Sequence, residues 1–386
     1  MNIKDGCSSC GSQIILPVIQ EEASCCSTAK EAQNNTPRLD QPFVTGSIST
    51  TAGRIPQVSA QLQSRDHWGT VRARFGVGRM DYMVDPGLYA LGNPDNNSPV
   101  LVTANYKMSF DYLRRELSHR NAWILVLDTK GINVWCAAGK GTFGTEELIK
   151  RIEFSSLKNI VSHRKLILPQ LGAPGVAGHT VKKISEFKVY YGPVRAEDLP
   201  AYLDSGWKTT PAMRIMTFPL IDRAVLIPIE LVAAVKPFLI IAPILFILSG
   251  IGGPAEFWTN TINYGLFAVL ALLAAIVSGV VLHPLLLPIL PGRAFSTKGF
   301  SIGFVVAFIL LYLRDVNLQI WSGRIEALAW LLIIPAVSAF LAMNFTGAST
   351  YTSLSGVKKE MRWALPAQIS AGLGGLAIWI TSRLIA

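Results

Sequence analysis

The chain has 386 residues, half of them hydrophobic and only 16% charged, with 35 Lys+Arg against 25 Asp+Glu. A soluble domain carries about 25% charged residues, so this composition and the positive mean hydropathy argue against a wholly soluble chain. The charge is also uneven, with 26 basic and 20 acidic side chains in residues 1–223 but only 9 and 5 in residues 224–386, which predicts a soluble domain followed by a membrane domain.

Residues 1–64 are polar and rich in Ser, Thr, Gln and Asn, with Cys7 and Cys10 in a CSSC and an adjacent Cys25-Cys26 pair. No basic-led apolar segment is present, so no signal peptide is expected. One CxxC without a second at zinc spacing is a poor metal signature. A disordered tail is expected, and the softness of thiolates leaves a thiophilic metal relay open.

Order is expected to begin near Trp68. Residues 71–91 mix glycines, aromatics and a Pro-Gly turn, which reads as short strands or irregular chain. Residues 99–103 (PVLVT) predict a strand, and 109–117 a helix, with Phe110, Leu113 and Leu117 on one face. The run AWILVL at 122–127 predicts a buried strand, and Asp128-Thr129-Lys130-Gly131 a turn.

A short helix of small residues is expected next, over NVWCAAGK at 133–140. Ala137, Ala138 and Gly139 let such a helix approach a flat, bulky partner closely, with the Cys136 sulfur on its face. A lone thiol there suits a nucleophile or a soft metal ligand; a buried cysteine acting as a small hydrophobe is the plain alternative. Thr145 is expected to N-cap a helix running to Leu157. Residues 165–168 and 187–191 predict strands, and 196–203 a short helix. This alternation implies a Rossmann-like α/β domain over 65–223 with a parallel sheet, whose ligands sit at the carboxyl ends of the strands.

The glycine-rich LGAPGVAGH at 171–179 lacks the dinucleotide and phosphate-loop patterns. Close backbone approach to a large ligand and an ordinary loop both remain open. The histidines at 67, 119, 163, 179 and 283 are scattered, and none is assigned as a ligand or base.

Five spans are expected in residues 224–386, near 226–249, 262–285, 299–313, 327–344 and 364–382. Arg293 and Lys298, and Lys358, Lys359 and Arg362, lie in the 286–298 and 345–363 connections. The positive-inside bias places the soluble domain in the cytoplasm, at the inner membrane, and the C-terminus outside. Lys236 interrupts the first span and either functions there or snorkels. The polar stretch 347–361 is either a docking surface or an ordinary loop.

NVWCAAGK resembles the cap-helix signature of the mercury-methylating corrinoid protein (HgcA) family. VLVTANYK, GPVRAEDLP, NFTGASTYTSLSGVKKEM and the five-span tail extend the resemblance over residues 65–386. The soluble domain is also similar to the corrinoid-binding domain of the corrinoid iron–sulfur protein, which lacks this cysteine helix and these spans. The resemblance implies a cobalamin-type corrinoid held base-off, with the Cys136 thiolate as lower axial cobalt ligand and catalytic group. Asn133, Val134, Trp135, Ala137, Ala138, Gly139 and Lys140 would line that face.

The activity implied is a methyltransferase passing methyl to Hg(II), forming methylmercury. Hg(II) is an electrophile, so methyl must move as a carbanion equivalent or a radical. A strongly donating thiolate favours such transfer, since the axial ligand tunes the cofactor. Implied partners are a ferredoxin-like reductant with two 4Fe–4S clusters, a folate-linked methyl donor and the lipid membrane, with no nucleic acid. The rival readings are a corrinoid methyl carrier of one-carbon metabolism and a transporter with a cytoplasmic corrinoid domain.

Overall fold

Strands buried on both faces carry unbroken apolar runs, and three runs of this kind form the centre of the molecule. In the computed structural model, which describes residues 36–345 and 354–385, the α/β part contains seven strands. They are β1 (Val44–Thr50), β2 (Gly53–Val58), β3 (Gly87–Leu91), β4 (Val100–Ala104), β5 (Ala122–Leu127), β6 (Lys165–Leu168) and β7 (Lys188–Tyr191). The helices that matter here are α1 (Ser64–Arg74), α2 (Lys107–Glu116), α3 (Val134–Lys140), α4 (Thr145–Phe154), α5 (Leu157–Ile160), α6 (Gly178–Ser185) and α7 (Leu199–Asp204).

The seven strands form one sheet in the order β1-β2-β3-β5-β4-β6-β7. Every residue of β3, β4 and β5 is buried, and alternate residues serve opposite faces. Val102, Leu125 and Leu127 pack with Ala137, Leu148 and Val181 on one side. Leu101, Ile124 and Val126 pack with Phe110, Leu113 and Tyr202 on the other. Helices therefore cover both faces of a mixed sheet.

Two expectations are corrected. The sheet is not all parallel: β4, β5, β6 and β7 run together, but β3 is antiparallel to β5, and β1 to β2. The 92–99 connection is too short for the dozen or more residues that a parallel crossover needs, so β4 runs opposite to β3. Nor is the stretch 36–64 a disordered tail. Residues 44–58 make a hairpin on the sheet, where β1 alternates between half-buried and exposed positions and β2 buries Ile55 and Val58. Cys7, Cys10, Cys25 and Cys26 lie outside the described residues.

Boundary differences are smaller. The last turn of α1, residues 71–74, occupies positions expected to be irregular or strand-like. Gly144, not Thr145, is the N-cap of α4, which ends at Phe154 before α5 begins after Ser156, a residue in the left-handed region.

Among the described residues, five helices are long and apolar enough to cross a membrane: Leu220–Leu248, Phe257–Leu286, Phe295–Leu313, Trp321–Asn344 and Gly356–Ile385. Of the polar stretch 347–361, residues 354–361 open the last long helix and 347–353 lie outside the described residues.

The α/β part meets the long helices at the end where the second leads into the third and the fourth into the fifth. The guanidinium of Arg195 donates to the Thr217 carbonyl at 3.1 Å and pairs with Asp222. Buried Arg223 donates to the carbonyls of Pro284 and Leu285 at 2.9 and 2.8 Å, and the Phe218 and Phe345 rings meet.

Candidate cofactor site

The four parallel strands end at one edge of the sheet, and the site is built there from Asn105 outward. Asn105, next after β4, is 1% exposed. Its carboxamide oxygen accepts from the Thr129 N–H, the Thr129 hydroxyl and the Gly131 N–H at 3.1, 2.8 and 3.0 Å. Three donors on one buried oxygen fix the turn that leaves β5, because opening the turn would strand buried polar groups.

The other side of the turn is tied to α4. Glu147 accepts from the Asp128 N–H at 2.9 Å and is itself paired with Arg151 at 2.7 Å. Burial would raise the Asp128 pKa, but hydrogen bonds from the Lys130 side chain and N–H hold it below the usual carboxylate range, so within the turn an ionised carboxylate is paired with the Lys130 ammonium at 2.8 Å.

α3 starts from this turn. Asn133 is its N-cap, and its side-chain oxygen accepts from the Cys136 N–H at 2.9 Å, a typical use of Asn before a first turn. The same bond fixes the backbone that carries the thiol. Gly141 closes the helix in the left-handed conformation, at φ 84. Seven residues suffice because both ends are capped and Phe143, fully buried, anchors the exit.

The eight residues singled out in the sequence divide by face. Ala137 and Ala138 are buried in the core and Val134 packs against it. Ala137 and Ala138 hold the helix from beneath, while Val134 packs on the core and stays half-buried. Asn133, Trp135 and Cys136 are half-buried, and Gly139 and Lys140 exposed. Cys136 carries a free thiol. A Cβ built on Gly139 would meet nothing within 4 Å, so the helix offers a bare stretch of backbone one turn beyond the sulfur.

The glycine-rich loop is the neighbour of this helix. A Cβ on Gly175 would stand 3.0 Å from the Ala138 Cα and closer still to the Phe143 carbonyl. The Thr145 hydroxyl accepts from the Ala177 N–H at 2.8 Å. Close approach is thus the role of Gly175, and its partner is α3.

Among the described residues, no group of three or more His, Cys, Asp or Glu side chains converges on a metal position. A single sulfur beside bare backbone suits a metal that brings its other ligands with it, as a metal inside a planar macrocycle does. Asn105, Glu147 and Thr145 were not singled out as site residues in the sequence. The one available signal was an Asn directly after the apolar strand in VLVTANYK, at the edge where such sheets place ligands.

Among the described residues, the fold and site define an α/β domain that carries the half-buried Cys136 thiol at the carboxyl edge of its parallel strands and is followed by five membrane-length helices. The family model described as CO dehydrogenase/acetyl-CoA synthase delta subunit matches residues 76–201, which include Asn105, α3 and the glycine-rich loop. Curated relatives named acetyl-CoA decarbonylase/synthase complex subunit gamma are similar over part of this region. The Methanopyrus kandleri protein is 33% identical over 123 residues, 31% of this chain and 26% of its own length. That of Methanocaldococcus jannaschii is 40% identical over 97 residues, 25% and 20%. The subunit gamma 2 of Methanosarcina thermophila is 33% identical over 133 residues, 33% and 28%. The chain thus spans between a fifth and a third of the length of these relatives.

Proposed function

We propose that the chain is a membrane-anchored, corrinoid-dependent methyltransferase in which Cys136 is the one protein ligand to cobalt. The observation that carries this reading is the free, half-buried thiol on a doubly capped helix, beside backbone kept bare by Gly139. When bound, a corrinoid supplies a cobalt centre able to accept and donate a methyl group. The residues of the chain do the rest. Asn133 orients the Cys136 backbone, Gly139 leaves room for a flat ring system, and Trp135 and Lys140 flank it. The ion-paired turn at Asp128 and the Asn105 hub keep the helix from shifting.

For the methyl acceptor, similarity to subunits of an acetyl-CoA decarbonylase/synthase complex favours a methyl carrier of one-carbon metabolism working with partner proteins. A second reading, transfer to Hg(II), is favoured by the NVWCAAGK motif, since thiolate donation suits methyl transfer to an electrophilic soft metal. Under that reading the partners would be a ferredoxin-like reductant with two 4Fe–4S clusters and a folate-linked methyl donor. In both, the soluble domain faces the cytoplasm at the inner membrane.

The test is the visible absorption spectrum of the full chain reconstituted with methylcobalamin, for wild type and Cys136→Ala. A spectrum shifted in wild type alone, with methyl transfer lost in the variant, is expected. Identical spectra would remove Cys136 from the site. Transfer assays offering Hg(II) or a one-carbon acceptor protein then separate the two acceptors.

A further inference from the structure

α1 is held to the soluble domain by an unusual anchor. Only Asp66 and Ala73 of its residues are buried, and Asp66 is fixed by ion pairs to Lys107 and Arg114, both at 2.8 Å. The opposite face carries Trp68, Val71 and Phe75, spaced three and four residues apart on one stripe, and the turn beyond adds Val77 and Met80. All five are exposed, Trp68 by 69% and Met80 by 62%. Arg65 and Arg72 stand exposed among them. An ionic anchor inside and an aromatic, basic stripe outside is the reverse of a soluble-domain helix, and such a stripe calls for an apolar cover.

The position of the stripe says what covers it. A Cβ on Gly76 would stand 3.0 Å from the Ile229 side chain in the first long helix, and Arg79 is close enough to Glu230 for their charges to interact. A span needs about 20 residues, and counting back that far from Leu248 places Ile229 at the membrane boundary. Residues 75–80 therefore stand at the depth of the headgroups. Aromatic and basic side chains are the pair that such a layer favours.

We propose that α1 and residues 75–80 lie in the interfacial layer of an anionic bilayer. The Met80 carbonyl would be 2.8 Å from a Cβ on Gly131, so the same segment forms the rim of the turn beneath α3. The candidate cofactor site thereby opens beside the lipid surface. This proposal rests on the reading that the five long helices cross a bilayer.

The test uses the full chain in nanodiscs of phosphatidylcholine with or without phosphatidylglycerol. The photoreactive residue p-benzoyl-phenylalanine replaces Trp68 or Met80, with Leu239 of the first long helix as a buried-in-lipid reference and Ile184 of α6 as an exposed control. Lipid adducts at positions 68, 80 and 239 and none at 184 are expected. Adding Arg65→Gln and Arg72→Gln should lower the yield at position 68 in anionic nanodiscs by about fivefold for each arginine removed. Adducts at 239 without adducts at 68 and 80 would overturn the interfacial assignment alone. Absence of adducts at 239 as well would overturn the spanning reading and the proposal together. Cross-links from position 68 to a second copy of the chain would assign the stripe to self-association instead.

Discussion

Gly139 separates the needs of the fold from those of the site. A glycine inside a helix costs about 0.8–1 kcal/mol relative to alanine, and at position 139 a side chain would collide with nothing in the protein. Folding alone would favour another residue there. Gly139→Ala should therefore raise the melting temperature slightly, and Gly139→Leu should not lower it. On the proposed reading the leucine occupies the place of the flat cofactor, an overpacked contact worth about 1–3 kcal/mol and thus about tenfold or more in affinity. Thermal unfolding and corrinoid titration of the two variants check this. A leucine variant that binds corrinoid like wild type would show that the bare backbone has another purpose.

At the scale of elements, the buried ion network around α1 and α2 carries a pH dependence. Lys107 bridges Asp66 and Asp111, and Arg114 reaches both carboxylates. Burial would raise the Asp66 pKa, but hydrogen bonds from Lys107 and the Gln63 N–H hold it below the usual range. A carboxylate depressed in the fold contributes stability above its unfolded value of about 3.9, lost as pH falls through the folded value. Asp66→Asn should therefore destabilise the protein by about 3 kcal/mol at neutral pH, with the difference from wild type shrinking below about pH 4. A constant difference down the acid limb of a denaturation series would rule out this source.

No one of these four residues marks the network in the sequence, because their partners lie up to 48 positions apart. The same holds for β1 and β2. Val44-Thr45-Gly46-Ser47-Ile48-Ser49-Thr50 is an edge strand with few apolar residues, and local composition alone does not separate it from a tail. AWILVL and KLIL were legible to the residue because their apolar runs fill buried positions on both faces of the sheet. The direction of β3 depends on a neighbour two strands away in sequence. In the site, Cys136 and its helix stood out by composition, whereas Asn105 acts only because folding brings the end of β4 beside the turn after β5.

At the scale of the whole molecule, the α/β domain and the long helices are joined by contacts of very different kinds, and this decides which of them can give. Arg223 is buried, and its bonds to the end of the second long helix replace helical partners that those carbonyls lack. That junction is part of the bundle. Arg195 is three-quarters screened from solvent, but its partners stand in the connecting segment (Thr217) and at the start of the first long helix (Asp222), and such partly exposed pairs contribute about 1 kcal/mol or less. It orients the domain without holding either part together. Arg195→Gln should accordingly shift the melting temperature by little, while amide exchange rises in residues 215–222, and neither the core strands nor the long helices beyond the first turn of the first one should change. If the Arg195→Gln variant kept exchange across the connecting segment at the wild-type rate, the orientation would rest on the Gly76–Ile229 contact and the Phe218–Phe345 pair, not on the guanidinium.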